Sequence, residues 1–129
     1  MKRTIRVFSL LLAAVMLLSA QALATEPAQA FTDVSKQDYF YDAVNWAVEK
    51  EITSGVSKDV FAPNRDCTRA DFVTFLWRYA GEPAPKNMSC GFNDVDANAF
   101  YYKAVLWAVE NGVTTGKTAT QFAPGATCT

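Results

Sequence analysis

A chain of 129 residues that is 50% apolar and only 19% charged can bury a core, which argues against intrinsic disorder. Its formal net charge is −1, so it gains no long-range attraction to a polyanion, and nucleic-acid binding is not expected. It contains no histidine, which removes imidazole acid–base catalysis, the common catalytic triads and most zinc sites.

The chain opens on Lys2, Arg3 and Arg6, followed by the uncharged run VFSLLLAAVMLLSA and then QALATEP. A positive start, an apolar run and a small-x-small site predict a secretory signal peptide over residues 1–24. Ala22-Leu23-Ala24 places the cut between Ala24 and Thr25; Ala28-Gln29-Ala30 also fits but lies farther from the apolar run. The run is shorter than the ~20 residues a spanning helix needs, so cleavage is expected rather than a retained anchor. No cysteine near the cut offers a lipid attachment. Removing three basic residues leaves 9 Lys and Arg against 13 Asp and Glu, a net charge of −4 on an exported protein with no membrane contact of its own.

After a spacer at 25–30 the chain repeats itself. FTDVSKQDYFYDAVNWAVEKEITSGVSKDVFAPNRDCT, residues 31–68, lies over FNDVDANAFYYKAVLWAVENGVTTGKTATQFAPGATCT, residues 92–129, with 17 of 38 positions identical at an offset of 61. Residues 31–91 are read as one full unit with its linker, and residues 92–129 as the first part of a second. A chain that stops inside a repeat is expected to be marginally stable or to self-associate.

Each unit predicts a first helix, roughly Tyr39 to Glu51, with Phe40, Ala43, Val44, Ala47 and Val48 on one stripe and Trp46 beside it. The second unit places Tyr101, Ala104, Val105, Ala108 and Val109 on the same stripe, with Trp107. Gly55 and Gly116 suit a turn with positive φ, and FAP predicts a short extended or turned link, since Pro63 and Pro124 restrict the residue before them. The second helix opens at TRAD: Thr68 is an N-cap and Asp71 completes a capping box. Phe72, Val73, Leu76, Trp77 and Ala80 form its apolar face, Gly81 ends it, and GEPAPKNMSCG links to the next unit. The fold class is therefore all-α, a repeated helix-loop-helix. Asp33 and Asp94 read as turn or cap residues at the mouth of the first helix.

The ordered motifs FTDV, YDAVNWAVEKEITSG and FAPNRDCTRADFVTFLWRYAG resemble the S-layer homology family, over residues 31–129. Two positions depart from that pattern: Asp71 stands where Glu is usual, and Cys67 where an Ile-like residue is usual. The resemblance implies three repeats packed pseudo-symmetrically, and a non-catalytic anchor for exported proteins. It also implies an acidic secondary cell-wall polysaccharide, commonly pyruvylated, as the partner, bound in grooves between repeats without a cofactor. By position, the arginine that meets the acidic sugar is Arg69, with Thr68, Asp71 and Gly116 at the same groove. Arg69 would lie in the first turn of a helix, where unpaired N–H groups and the dipole favour an anion, and a guanidinium grips a carboxylate with two prongs. The bland alternative is that Arg69 only pairs with Asp71 or Asp66. Trp46 and Trp107 are read first as core residues and second as platforms for a sugar ring.

Three other patterns fail. Asp94, Asp96 and Asn98 begin like a calcium loop, but Ala99 and Val105 stand where Gly and Glu are needed. TTGKT at 114–118 lacks the earlier glycine of a phosphate loop, and the NMS sequon at 87–89 is a frequent coincidence. Of the three cysteines, Cys67 and Cys128 are repeat-equivalent and suit small buried positions; a bridge could join Cys90 to Cys128 or Cys67 to Cys90. The second functional reading is a helical-repeat module that contacts partner proteins such as sibling repeats. The third is the anchoring part of a larger surface hydrolase.

Overall fold

The computed structural model describes residues 31–128. The expected signal peptide, its cut between Ala24 and Thr25, and the 25–30 spacer lie outside them. Within the described residues the chain forms α1 (Tyr41–Glu49), α2 (Arg69–Tyr79) and α3 (Tyr102–Glu110), joined by loops and two isolated bridges. No helix among these residues is long and apolar enough to cross a membrane.

α1 is shorter than its apolar stripe predicts. Asp38 to Tyr41 form a turn, and Phe40 caps the helix without a side-chain hydrogen bond. Its end is sharp. Glu51 adopts φ 58°, its N–H donates to Val48 O (2.9 Å), and Ile52 N–H donates to Ala47 O (2.9 Å), a Schellman ending. α3 ends the same way with Gly112, φ 68°, in the position of Glu51. Gly55 and Gly116 take the positive φ expected of them, 79° and 86°, in the turn that follows each helix. A Cβ on Gly116 would lie 2.5 Å from the Phe92 ring, and one on Gly55 2.6 Å from Phe31, so both turns close directly onto an aromatic side chain.

α2 begins and ends as its sequence predicts. Thr68 Oγ1 accepts from Asp71 N–H (3.1 Å), and Thr68 N–H donates back to Asp71 Oδ2 (3.2 Å), completing the capping box. At the other end Gly81 N–H donates to Arg78 O and Glu82 N–H to Trp77 O, with Gly81 at φ 84°.

The core lies between α2 and α3. Val73 and Trp77 pack on Ala104, Val105 and Ala108, with Phe122 beneath them; Cys90, Phe92, Val95, Tyr101 and Trp107 close its edges. Ala104, Ala108 and Phe122 are 0% exposed, the alanines letting the helices approach closely. The linker is held to α3: Glu110 accepts from the N–H groups of Lys86 (3.0 Å) and Asn87, and Tyr102 OH donates to Met88 O (2.6 Å).

Candidate functional site

FAP is the pivot of both units, and of the two expected forms of the link it takes the turned one, with Arg65 N–H donating to Ala62 O (3.0 Å) and Ala126 N–H to Ala123 O (3.1 Å). Ala62 and Ala123, each before a proline, lie in the left-handed region at φ 61° and 59° rather than extended. That conformation costs an alanine about 1–2 kcal/mol. The aspartates expected at the mouth of the first helix hold it in place. Asp33 accepts from Phe61 N–H (2.9 Å) and Ala62 N–H (2.7 Å); Asp94 accepts from Phe122 N–H (2.9 Å) and Ala123 N–H (2.7 Å). Asp33 and Asp94 are thus long-range clamps, not helix caps. The Phe61 N–H leads the interactions that hold the Asp33 carboxyl below its usual range. For Asp94 burial pushes the carboxyl up, but the Phe122 and Ala123 N–H groups and the nearby Arg69 outweigh it.

The clamp fixes the Phe122 carbonyl, and Arg69 reaches it from the other unit. Arg69 Nε donates to Phe122 O (2.9 Å), Nη2 approaches Thr114 Oγ1 (3.4 Å), and the guanidinium carbon sits 4.8 Å over the Phe122 ring. Thr114 Oγ1 also accepts from Gly116 N–H (3.1 Å), which connects the TTG turn to the arginine. The bland pairing is overturned: it is Arg65 that bonds Asp71 (2.7 Å), whereas Arg69 faces α3 and its flanking loops. Phe122 O and Thr114 occupy one edge of the guanidinium. Among the described residues Nη1 makes no hydrogen bond, and the Nη1–Nη2 edge faces away from these two partners.

The helix terminus itself contributes less than expected. Arg69 N–H donates to Ala126 O (2.9 Å), Ala70 N–H to Pro124 O (3.0 Å) and Asp71 N–H to Thr68 Oγ1. The first-turn donors of α2 are thus taken up within the chain and are not open to an anion, which leaves the guanidinium as the cationic group of this cleft.

The other expected residues are scattered around this cleft of about 90 Å³, which Arg69, Phe72, Val73, Val113, Thr114, Phe122 and Cys128 line. Thr68 and Asp71 shape it through the cap, but Asp71 faces a larger groove of about 460 Å³ together with Arg65, Arg78, Thr53, Gly55 and Phe61. At the offset of 61, Thr53 and Phe61 correspond to Thr114 and Phe122. Trp107 closes the core and faces a third hollow with Lys86 and Glu110. Trp46 is 48% exposed, its ring 6.1 Å from Tyr79, which corrects its assignment to the core. Thr114, Arg65 and Arg78 were missed by sequence reasoning. Only the repeat offset, which pairs Thr114 with Thr53, hinted at the first.

The S-layer homology domain profile matches residues 30–73 and 91–129, two matches whose starts differ by the repeat offset. The chain is 34% identical to an endoglucanase of Bacillus sp. (strain KSM-635) over 94 residues, covering 73% of this chain and 10% of that protein. It is 34% identical to the surface-layer 125 kDa protein of Lysinibacillus sphaericus over 86 residues, 67% of this chain and 7% of that one. It is also 29% identical to the S-layer protein sap of Bacillus anthracis over 94 residues, 73% of this chain and 11% of that one. The chain therefore spans about a tenth of the length of these curated relatives. With two profile matches in register, the capping box at TRAD and the FAP link in both units, the chain belongs to the S-layer homology domain family.

Proposed function

We propose that this chain is a non-catalytic module that anchors an exported protein to the bacterial cell surface. It does so by binding an acidic secondary cell-wall polysaccharide, pyruvylated in the reading its resemblance implies. The observation that carries this reading is the open edge of Arg69, held in a cleft between the units by Phe122 O and Thr114. A carboxylate on a sugar meets that edge with two parallel N–H···O bonds. Thr68 and Asp71 fix the start of α2, and Gly116 fixes the turn that carries Thr114. The half-exposed Trp46 supports a second role as a sugar platform; Trp107 serves mainly as packing. No cofactor enters the mechanism, since binding alone does the work.

The names of the relatives support a module independent of its cargo. Two are surface-layer proteins and one is an endoglucanase, each far longer than the matched part. A hydrolase as cargo is consistent with this reading. One observation favours the second reading, a protein-partner module: Trp46, Phe72 and Tyr79 leave aromatic surface exposed.

The two readings part in a pelleting assay. The full chain, processed by an exporting host, is mixed with wall sacculi before and after mild acid extraction of the secondary polymer. The proposal expects pelleting with intact sacculi and its loss after extraction. Undiminished pelleting on stripped peptidoglycan would replace the polysaccharide with another partner.

A further inference from the structure

We propose that Cys67 and Cys128 form a disulfide that staples the two units together at the mouth of the Arg69 cleft. The geometry begins with the backbone. Thr68 and Thr127 oppose each other in an isolated antiparallel bridge, flanked by Arg69 N–H to Ala126 O (2.9 Å) and Cys128 N–H to Cys67 O (2.8 Å). One step along each strand sets Cys67 directly against Cys128. Opposed residues at such a hydrogen-bonded position have Cα atoms about 5.5 Å apart and side chains on the same face. Disulfides span Cα separations of about 4.4–6.8 Å. The register therefore brings the two Cα atoms within the range a disulfide spans.

The third cysteine is placed differently. Cys90 packs against the core formed by Val73, Trp77 and Phe122. Cys67 is exposed and Cys128 half-buried, so an oxidant can reach the pair. Burial first, then Asp71 and the Cys128 thiol, push the Cys67 thiol up, so its attack on an oxidant is faster at alkaline pH.

The reaction is thiol–disulfide exchange with an external disulfide, either a small oxidised thiol or a protein oxidant of the export compartment. One cysteine thiolate attacks it, forming a mixed disulfide and releasing one thiol. The other then attacks the sulfur of that cysteine, forming the Cys67–Cys128 bond and releasing a second thiol. Two S–H bonds are lost, and the oxidant takes up both electrons and both protons.

The staple closes a loop across the seam already joined by Arg69 N–H and Ala70 N–H. Cys128 also lines the Arg69 cleft, so the bond would hold that cleft's width. Closing a loop of this length in the unfolded chain should raise the melting temperature by roughly 10 °C or more.

The test oxidises the folded full chain with glutathione disulfide, alkylates the remaining thiols and maps peptides without reduction. The expected result is a monomer lighter by two hydrogens, a peptide linking Cys67 to Cys128, and alkylated Cys90. Cys90→Ala should form the same bridge, Cys67→Ser should not, and reduction should lower the melting temperature of the wild type and of Cys90→Ala but not of Cys67→Ser. A bridge that includes Cys90, a linked dimer, or three alkylated cysteines in the folded chain after oxidation overturns the proposal.

Discussion

The helices α1 and α3 share seven of nine residues, YDAVNWAVE against YKAVLWAVE, yet they live in different environments. α3 buries Ala104, Val105, Leu106 and Ala108; α1 buries Val44, while its Ala43, the counterpart of Ala104, is exposed. The difference is α2, which lays Val73 and Trp77 on α3. Among the described residues no helix performs that service for α1. The FAP phenylalanines follow suit: Phe122 is wholly buried and Phe61 half-buried. Phe31 and Phe92 run the other way, Phe31 being buried against Phe61 (ring centroids 5.4 Å) and Phe92 lying at the edge of the core. An apolar stripe is thus an offer of a surface. Whether it becomes core depends on a neighbour from elsewhere in the chain.

The comparison breaks most easily at the paired phenylalanines. Phe122→Ala should cost about 3–5 kcal/mol, and Phe61→Ala less than half as much. Urea denaturation of both variants reads this directly, and equal losses would mean that the two units share one level of burial. The turn glycines should behave in the opposite way. Gly116→Ala and Gly55→Ala each force a Cβ onto an aromatic ring at positive φ, and each should cost about 1–3 kcal/mol. Because both constraints are local, their losses should match within measurement error.

A smaller effect sharpens the same contrast. Glu51 occupies the left-handed position that Gly112 fills in the second unit. Glu51→Gly should raise stability by up to ~1 kcal/mol, and Gly112→Glu should lower it by a similar amount. The smallest effect is acid sensitivity. Asp33 and Asp94 have carboxyls held below the ordinary 3.8, so their stabilisation is complete above that value and fades as pH falls through the folded one. Thermal melts should therefore drop below about pH 4, and Asp33→Asn with Asp94→Asn should flatten that decline.

Local features were legible in the sequence because their causes are local. The Thr68–Asp71 box, the Gly81 ending, and positive φ at Gly55 and Gly116 each depend on a few neighbouring residues. The all-α class and the 61-residue repeat were legible from periodicity. Long-range contacts were not. Asp33 reaches 28 residues ahead to Phe61, and Arg69 reaches 53 residues to Phe122 and 45 to Thr114. Nothing beside Asp33 in sequence announces that its side chain will stabilise a left-handed alanine. Likewise, the first-turn N–H groups of α2 looked available until the loop after Phe122 was folded against them. Trp46 misled for the reason α1 did: its covering surface is not encoded in its own helix.

In the function proposed, Arg69 presents a two-pronged edge to an anionic sugar while its other edge is held by Phe122 O and Thr114. Calorimetric titration of the folded chain with purified pyruvylated wall polymer tests it, comparing wild type with Arg69→Lys at one ionic strength. A lysine keeps the charge but cannot hold the cleft and grip a carboxylate at once. Loss of the charge-assisted contact, worth about 1.5–3 kcal/mol, predicts binding weakened roughly tenfold to a hundredfold. The variant should melt cooperatively, because the Thr68 cap is intact. An unchanged Kd in a folded Arg69→Lys protein would mean that the guanidinium does not grip the polymer.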